Sequence, residues 1–148
     1  MKLYLYCLAC LLLLVGLALV LQAQEGNKAK EKESVYAELG KVPEKKRQVK
    51  NPLANDSDAA AAGAVLFEEH CEECHGKEGT GGKKAPSLRA PEVQNATPGA
   101  LFWILTNGVV RKKMPVWSKL PEPQRWQLVS YIKSLGPVPA ETKPASTP

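Results

Sequence analysis

From Leu3 to Leu21 the chain runs through 19 consecutive uncharged, mostly apolar residues, and this run limits what the remainder can become. As a helix at ~1.5 Å per residue it spans roughly 28 Å, close to the hydrocarbon thickness of a bilayer. With the Pro-, Ala- and Thr-rich end from Pro137 to Pro148 also set aside, the 148 residues leave chain for one small folded domain. A single apolar run excludes a multi-span membrane protein. The charged fraction of 24% is ordinary for a soluble globular chain and excludes wholesale disorder.

Lys2 and the free amino group precede the run, and Gln22-Ala23-Gln24 follows it. A secretory signal has an apolar core of about 7–15 residues and small residues at its cleavage site. This run is longer and offers Leu21-Gln22-Ala23, so a cleaved signal and a retained anchor through residues 3–21 both fit. Orientation follows from charge. The amino end is positive, whereas Glu25, Lys28, Lys30, Glu31, Lys32 and Glu33 beyond the run cancel. The positive-inside rule leaves the amino terminus in the cytoplasm and exports everything downstream. The expected location is the periplasmic side of a bacterial inner membrane.

The net charge of +5 is unevenly spread. Residues 24–51 hold eight basic and five acidic residues; residues 52–137 hold ten and nine. The excess lies in a segment that reads as a charged linker, and the part expected to fold is nearly neutral. A nucleic-acid partner calls for a basic stripe on the folded surface, and none is expected here. As a flexible coil, 28 residues reach roughly 5–6 Å × √28, about 30 Å. Within it Lys28 to Leu39 suits a short helix stopped at Pro43. The chain thus divides into residues 1–23 (signal or anchor), 24–51 (linker), 52–137 (folded domain) and 138–148 (disordered tail).

Four cysteines form two pairs of equal spacing. Cys7 and Cys10 lie inside the apolar run, where small residues face lipid or neighbours without further role. Cys71-Glu72-Glu73-Cys74 is followed at once by His75. In C-x-x-C-H, two thiols can add to the two vinyl groups of a haem while the next residue offers an imidazole nitrogen to its iron. The alternatives lack ligands. Structural zinc needs four Cys or His ligands, and the exported part has only His70, Cys71, Cys74 and His75, crowded into six residues. An iron–sulfur cluster needs four thiolates. A disulfide oxidoreductase needs a strand before C-x-x-C, and no β-rich run precedes this one.

With His75 on one side of the iron, Met114 is the candidate for the other, since it is the only methionine besides Met1. It stands in Arg111-Lys112-Lys113-Met114-Pro115, a charged loop that Pro115 stiffens. Alone it would read as a core gap-filler. A thioether ligand favours reduced iron and raises the potential. His70 is the alternative sixth ligand, but five residues before His75 on the attachment segment it has to reach the opposite haem face; a solvated helix position suits it better.

Residues 51–136 resemble the class I c-type cytochromes, the small bacterial monohaem kind. The resemblance rests on Gly63-Ala64-Val65-Leu66-Phe67, Cys71-Glu72-Glu73-Cys74-His75-Gly76, the glycines Gly79, Gly81 and Gly82, Ala85-Pro86-Ser87-Leu88, Phe102 to Gly108, Met114-Pro115, and Trp126 to Leu135. It implies an all-α cytochrome c fold of three to five short helices around one covalently attached haem c. It also implies that the Pro86 carbonyl accepts a hydrogen bond from the far nitrogen of His75, and that the first and last helices cross with Gly63 and Phe67 against Leu128 and Tyr131.

The local signals agree. Asp56-Ser57-Asp58 offers caps before an Ala-rich helix reaching about His70. Thr97 caps, and Pro98 opens, a helix closed by Asn107-Gly108. Leu128, Tyr131, Ile132 and Leu135 keep helical spacing from about Glu122 until Gly136-Pro137. The loop from Gly76 to Gly82 has neither the preceding strand nor the Gly-Lys-Ser/Thr of a phosphate loop. Phe67, Leu88, Leu101, Phe102, Trp103, Ile104, Trp117 and Trp126 are generous lining for so few helices unless a large flat group sits among them. Lys77, Lys83, Lys84, Arg111, Lys112 and Lys113 fall in the two loops flanking the haem edge, as solvated surface or as a ring that steers acidic partners.

The expected function is single-electron transfer by a haem held through Cys71 and Cys74 and ligated by His75 and Met114, with no catalysis of its own. Its partners would be an oxidase, a dehydrogenase or a quinol-oxidising complex. The alternative is a haem-based gas sensor or small haem enzyme with a displaceable Met114.

Overall fold

The computed structural model describes residues 36–137. The expectations about the apolar run, Cys7 and Cys10, the start of the linker and the tail fall outside them. Three helices of ten residues or more form the body: α2 (Ala59–His70), α5 (Pro98–Asn107) and α6 (Glu122–Ser134). Residues 36–40 are helical, and three one-turn helices join the body: α1 (Glu44–Arg47), α3 (Glu72–His75) and α4 (Pro91–Gln94), with a 3₁₀ turn at Val110–Lys112. The all-α expectation holds, with more helices than the three to five expected, because single turns leave no periodicity to read. Among the described residues the one β pairing is an isolated bridge between Val109 and Met114, and no helix is long and apolar enough to cross a membrane.

The α2–α6 crossing organises the body. A Cβ on Gly63 would fall 2.0 Å from the Gln127 carbonyl oxygen and 2.9 Å from Tyr131 Cβ, so only glycine lets the two backbones approach. One turn later the rings of Phe67 and Tyr131 lie 5.1 Å apart, tilted by 51°. The expected crossing is thus present, with the Gln127 backbone, not Leu128, directly over Gly63. Leu128 is instead fully buried in the core with Phe67, Val93, Leu101, Leu105, Trp126, Val129 and Ile132.

Helix α5 starts as its sequence requires. Thr97 Oγ1 accepts from Ala100 N, and Pro98 occupies the first turn, where no N–H is needed. Gly108 ends it at φ +65°. Phe102 stacks on Trp126 at 4.0 Å and 15°, and the Arg125 guanidinium lies over the Phe102 ring, 4.7 Å from its centroid. At α2, Asp58 holds the cap position without a side-chain cap bond; Asp56 Oδ1 accepts from Asp58 N at 2.9 Å, so the entry is an Asx turn.

Composition reads residues 24–51 as linker throughout, but 36–51 lie on the helical body. Val42 is 3% exposed. Gly99 meets α1 so closely that a Cβ would fall 2.2 Å from the Lys46 carbonyl oxygen. Asn51 Nδ2 donates to Ser130 Oγ at 2.8 Å, and Arg47 Nε to the Val42 carbonyl at 2.8 Å. A charged composition conceals this packing because its contacts come from scattered residues, Val42, Arg47 and Asn51, and from the Lys46 backbone.

Candidate haem-binding site

Helix α2 delivers the attachment segment. Its last residue is His70, and at Cys71 the backbone leaves helical geometry (φ −125°, ψ −32°) before the single turn α3. Within that turn Cys74 N and His75 N both donate to the Cys71 carbonyl, at 3.1 and 2.9 Å. Cys71, Cys74 and His75 therefore occupy one rigid turn. Cys71 is half-buried and Cys74 exposed, both as free thiols. Burial, and secondarily the neighbouring Cys74, pushes the Cys71 thiol up to about 11.

His75 is half-buried, and its Nδ1 lies 3.0 Å from the Pro86 carbonyl oxygen, as the resemblance implies. A carbonyl only accepts, so Nδ1 carries the proton and Nε2 keeps a free lone pair. Burial holds the imidazole below its ordinary value, partly offset by the Pro86 bond. The ring is thereby neutral at pH 7 and fit to ligate a metal.

The loop after His75 places that carbonyl. Gly76 ends α3 at φ +77°, Gly81 N returns to the His75 carbonyl at 2.8 Å, and Leu88 N bonds Gly79 O at 2.8 Å. Gly81 adopts φ +77°, and a Cβ there would sit 2.4 Å from Ser87 N and 2.6 Å from the Pro86 carbonyl carbon. Only a residue without a side chain lets the Pro86–Ser87 backbone lie this close to the loop that follows His75. Gln94 Nε2 fastens the far end, donating to Leu88 O at 2.7 Å and Ile132 O at 2.9 Å.

Met114 is half-buried and packs against the same core cluster as Cys71, Leu66, Leu88, Phe102 and Trp117. Val109 and Met114 exchange both backbone bonds, 3.0 and 3.2 Å, and Lys113 turns the loop at φ +66°. Trp117 N then bonds Leu105 O at 3.0 Å, tying the loop to α5. His70 differs from expectation. Its ring lies 5.1 Å from that of Trp117, tilted by 43°, and its side chain is 22% exposed, so it is a half-buried packing partner and not a solvated position.

Of the expected lining, Phe67, Leu101 and Trp126 are core, whereas Leu88, Phe102, Trp103, Ile104 and Trp117 are only half-buried. Lys77, Lys83, Lys84, Arg111, Lys112 and Lys113 are all exposed, with Lys84 Nζ 2.8 Å from Glu73. Among the described residues no three His, Cys, Asp or Glu side chains converge as metal ligands would. The donor set present is two thiols in one turn, an imidazole with its tautomer fixed, and one thioether. It suits a haem attached through the thiols and ligated from the protein.

Two residues around the site carry no sequence signal. Tyr36 Oη donates to the Ser87 carbonyl at 3.0 Å, and Glu38 forms an ion pair with Arg111. Each is isolated in a charged stretch, and only the fold brings it here.

Residues 58–132, half of the chain, match the family model described as cytochrome c oxidase, cbb3-type, subunit III. No solved structure matches. The matched stretch begins one residue before α2 and ends inside α6, and so contains every residue of the turn, the glycine loop and the Met114 loop. With that match and this geometry together, the chain belongs to the cbb3-type subunit III family of c-type cytochrome domains and binds covalent haem c.

Proposed function

We propose that the protein is a one-electron carrier in which Cys71 and Cys74 hold the haem through thioether bonds and His75 and Met114 complete the coordination of its iron. The hydrogen bond from His75 Nδ1 to Pro86 carries this reading, because it commits the opposite nitrogen to a metal. The bound haem supplies reversible one-electron chemistry. The protein's part is to fix the imidazole, to present a soft neutral sulfur that favours reduced iron, and to exclude water with apolar packing. Filling both axial positions leaves none for a substrate, which suits a carrier and not an enzyme.

The family is described as a subunit of an oxidase, so the redox partner we favour is a terminal oxidase; a dehydrogenase or quinol-oxidising complex is served by the same chemistry. The domain works on the periplasmic side of a bacterial inner membrane, to which residues 3–21 deliver or anchor it. Optical spectra of the protein made with haem-attachment machinery test the ligand set. The haem resists acid-acetone extraction, the oxidised form shows a sulfur-to-iron band, and carbon monoxide leaves the reduced spectrum unchanged. Immediate carbon monoxide binding would remove Met114 from the iron and favour a sensor or enzyme.

A further inference from the structure

The segment preceding the family match touches both ligand-bearing loops with residues two positions apart. Tyr36 Oη donates to the Ser87 carbonyl at 3.0 Å, and the adjacent carbonyl, that of Pro86, receives His75 Nδ1. Glu38 Oε1 pairs with Arg111 Nη2 and accepts from Lys41 Nζ at 2.8 Å. Arg111 stands in the 3₁₀ turn Val110–Lys112, enclosed by the reciprocal Val109–Met114 bonds. One short stretch of chain therefore grips the His75 side through Tyr36 and the Met114 side through Glu38.

Its other end is fixed. Arg47 donates to the carbonyls of Val42, at 2.8 Å, and Gly40, at 2.5 Å. Leu39 packs on the core, Val42 is buried, and the Lys46 carbonyl oxygen sits where a Cβ of Gly99 would be. Glu38 is the more sheltered member of its pair, with a side chain 20% exposed against 61% for Arg111. These residues lie outside the matched stretch 58–132.

We propose that Tyr36 and Glu38 are positioning residues that clasp the two loops and keep Met114 and His75 in place. The inference rests on the ligand assignment above. Glu38 holds the Arg111 turn against the body and so slows departure of the Met114 sulfur; Tyr36 steadies the Pro86–Ser87 backbone on which the His75 hydrogen bond depends.

The test uses the full haem-loaded chain and three readouts: the sulfur-to-iron band, the reduction potential, and the rate at which carbon monoxide enters the reduced protein. In a cycle of Glu38→Gln, Arg111→Gln and the double variant, each single change speeds carbon monoxide entry about two- to five-fold at low salt, as for a partly exposed ion pair. The double variant is no faster than either single one, and high salt shrinks the effect. Tyr36→Phe, which removes only the hydroxyl, shifts the potential. Variants matching the wild type in rate and potential, or two single effects that simply add, would overturn the clasp while the wild-type sulfur band leaves the ligand assignment intact. A wild-type protein without that band removes the assignment, and the clasp with it. A purely structural role would lower resistance to denaturant yet leave rate and potential unmoved, which also counts against the clasp.

Discussion

His75 Nδ1 lies 3.0 Å from the Pro86 carbonyl oxygen, and Gly81 at φ +77° is what lets that carbonyl come so near. The His75 imidazole is therefore oriented by a glycine six residues further along the chain. In Gly81→Ala the Pro86–Ser87 backbone must move and the residue must hold a left-handed conformation, at about 1–3 kcal/mol. Thermal unfolding of the haem protein measures that loss. A weakened Nδ1 bond makes the imidazole a poorer donor to oxidised iron, so the potential rises, as spectroelectrochemistry would show.

Replacing Met114 with alanine tests the opposite side. On the proposed ligation, removing this thioether takes from the iron a ligand that favours the reduced state. The potential falls, the sulfur-to-iron band disappears, and carbon monoxide binds on mixing. Retention of the band would place another sulfur on the iron.

Single thiol replacements probe attachment. Cys71→Ala and Cys74→Ala each leave one thioether, so haem stays with the polypeptide under denaturing electrophoresis. The double replacement releases it. Intact mass separates the two single variants, which keep haem, from the double variant, which does not.

Tyr36 gives the fold an alkaline limit. Its hydroxyl is held above the ordinary tyrosine value, first by burial and then by Glu92, with the Ser87 bond acting the other way. A raised folded-state value means that the unfolded chain releases this proton first. The stabilisation is fully present below about pH 10, the unfolded value, and is lost as pH climbs through the folded value. Denaturant midpoints above pH 10 should fall more steeply for the wild type than for Tyr36→Phe, which has nothing to ionise.

Gly63→Ala tests the crossing. Its Cβ would overlap the Gln127 backbone at 2.0 Å, and backbone cannot rotate aside as a side chain can. Overpacking of this kind costs about 1–3 kcal/mol or more, read from equilibrium unfolding followed by circular dichroism.

Much of this arrangement was legible because the informative residues are local. Cys71, Cys74 and His75 sit within one turn; Thr97 and Pro98 mark a helix start by their own chemistry; Gly63 and Phe67 share a helix face. What escaped the sequence depends on distant partners or on single turns. Helices α1 and α4 are four residues each, too short for any period to show. The burial of Val42 and the roles of Tyr36 and Glu38 exist only because residues 36–51 fold back on the body. His70 reads as solvated until Trp117, 47 positions later, is seen packed against it.

The crossing at Gly63 joins the first long helix to the last. The body cannot close until α6 has emerged, so Cys71 and Cys74 spend that interval of synthesis on a segment not yet latched. The order of the elements along the chain thus gives the attachment machinery a window in which both thiols are reachable, and arrival of the final helix shuts it.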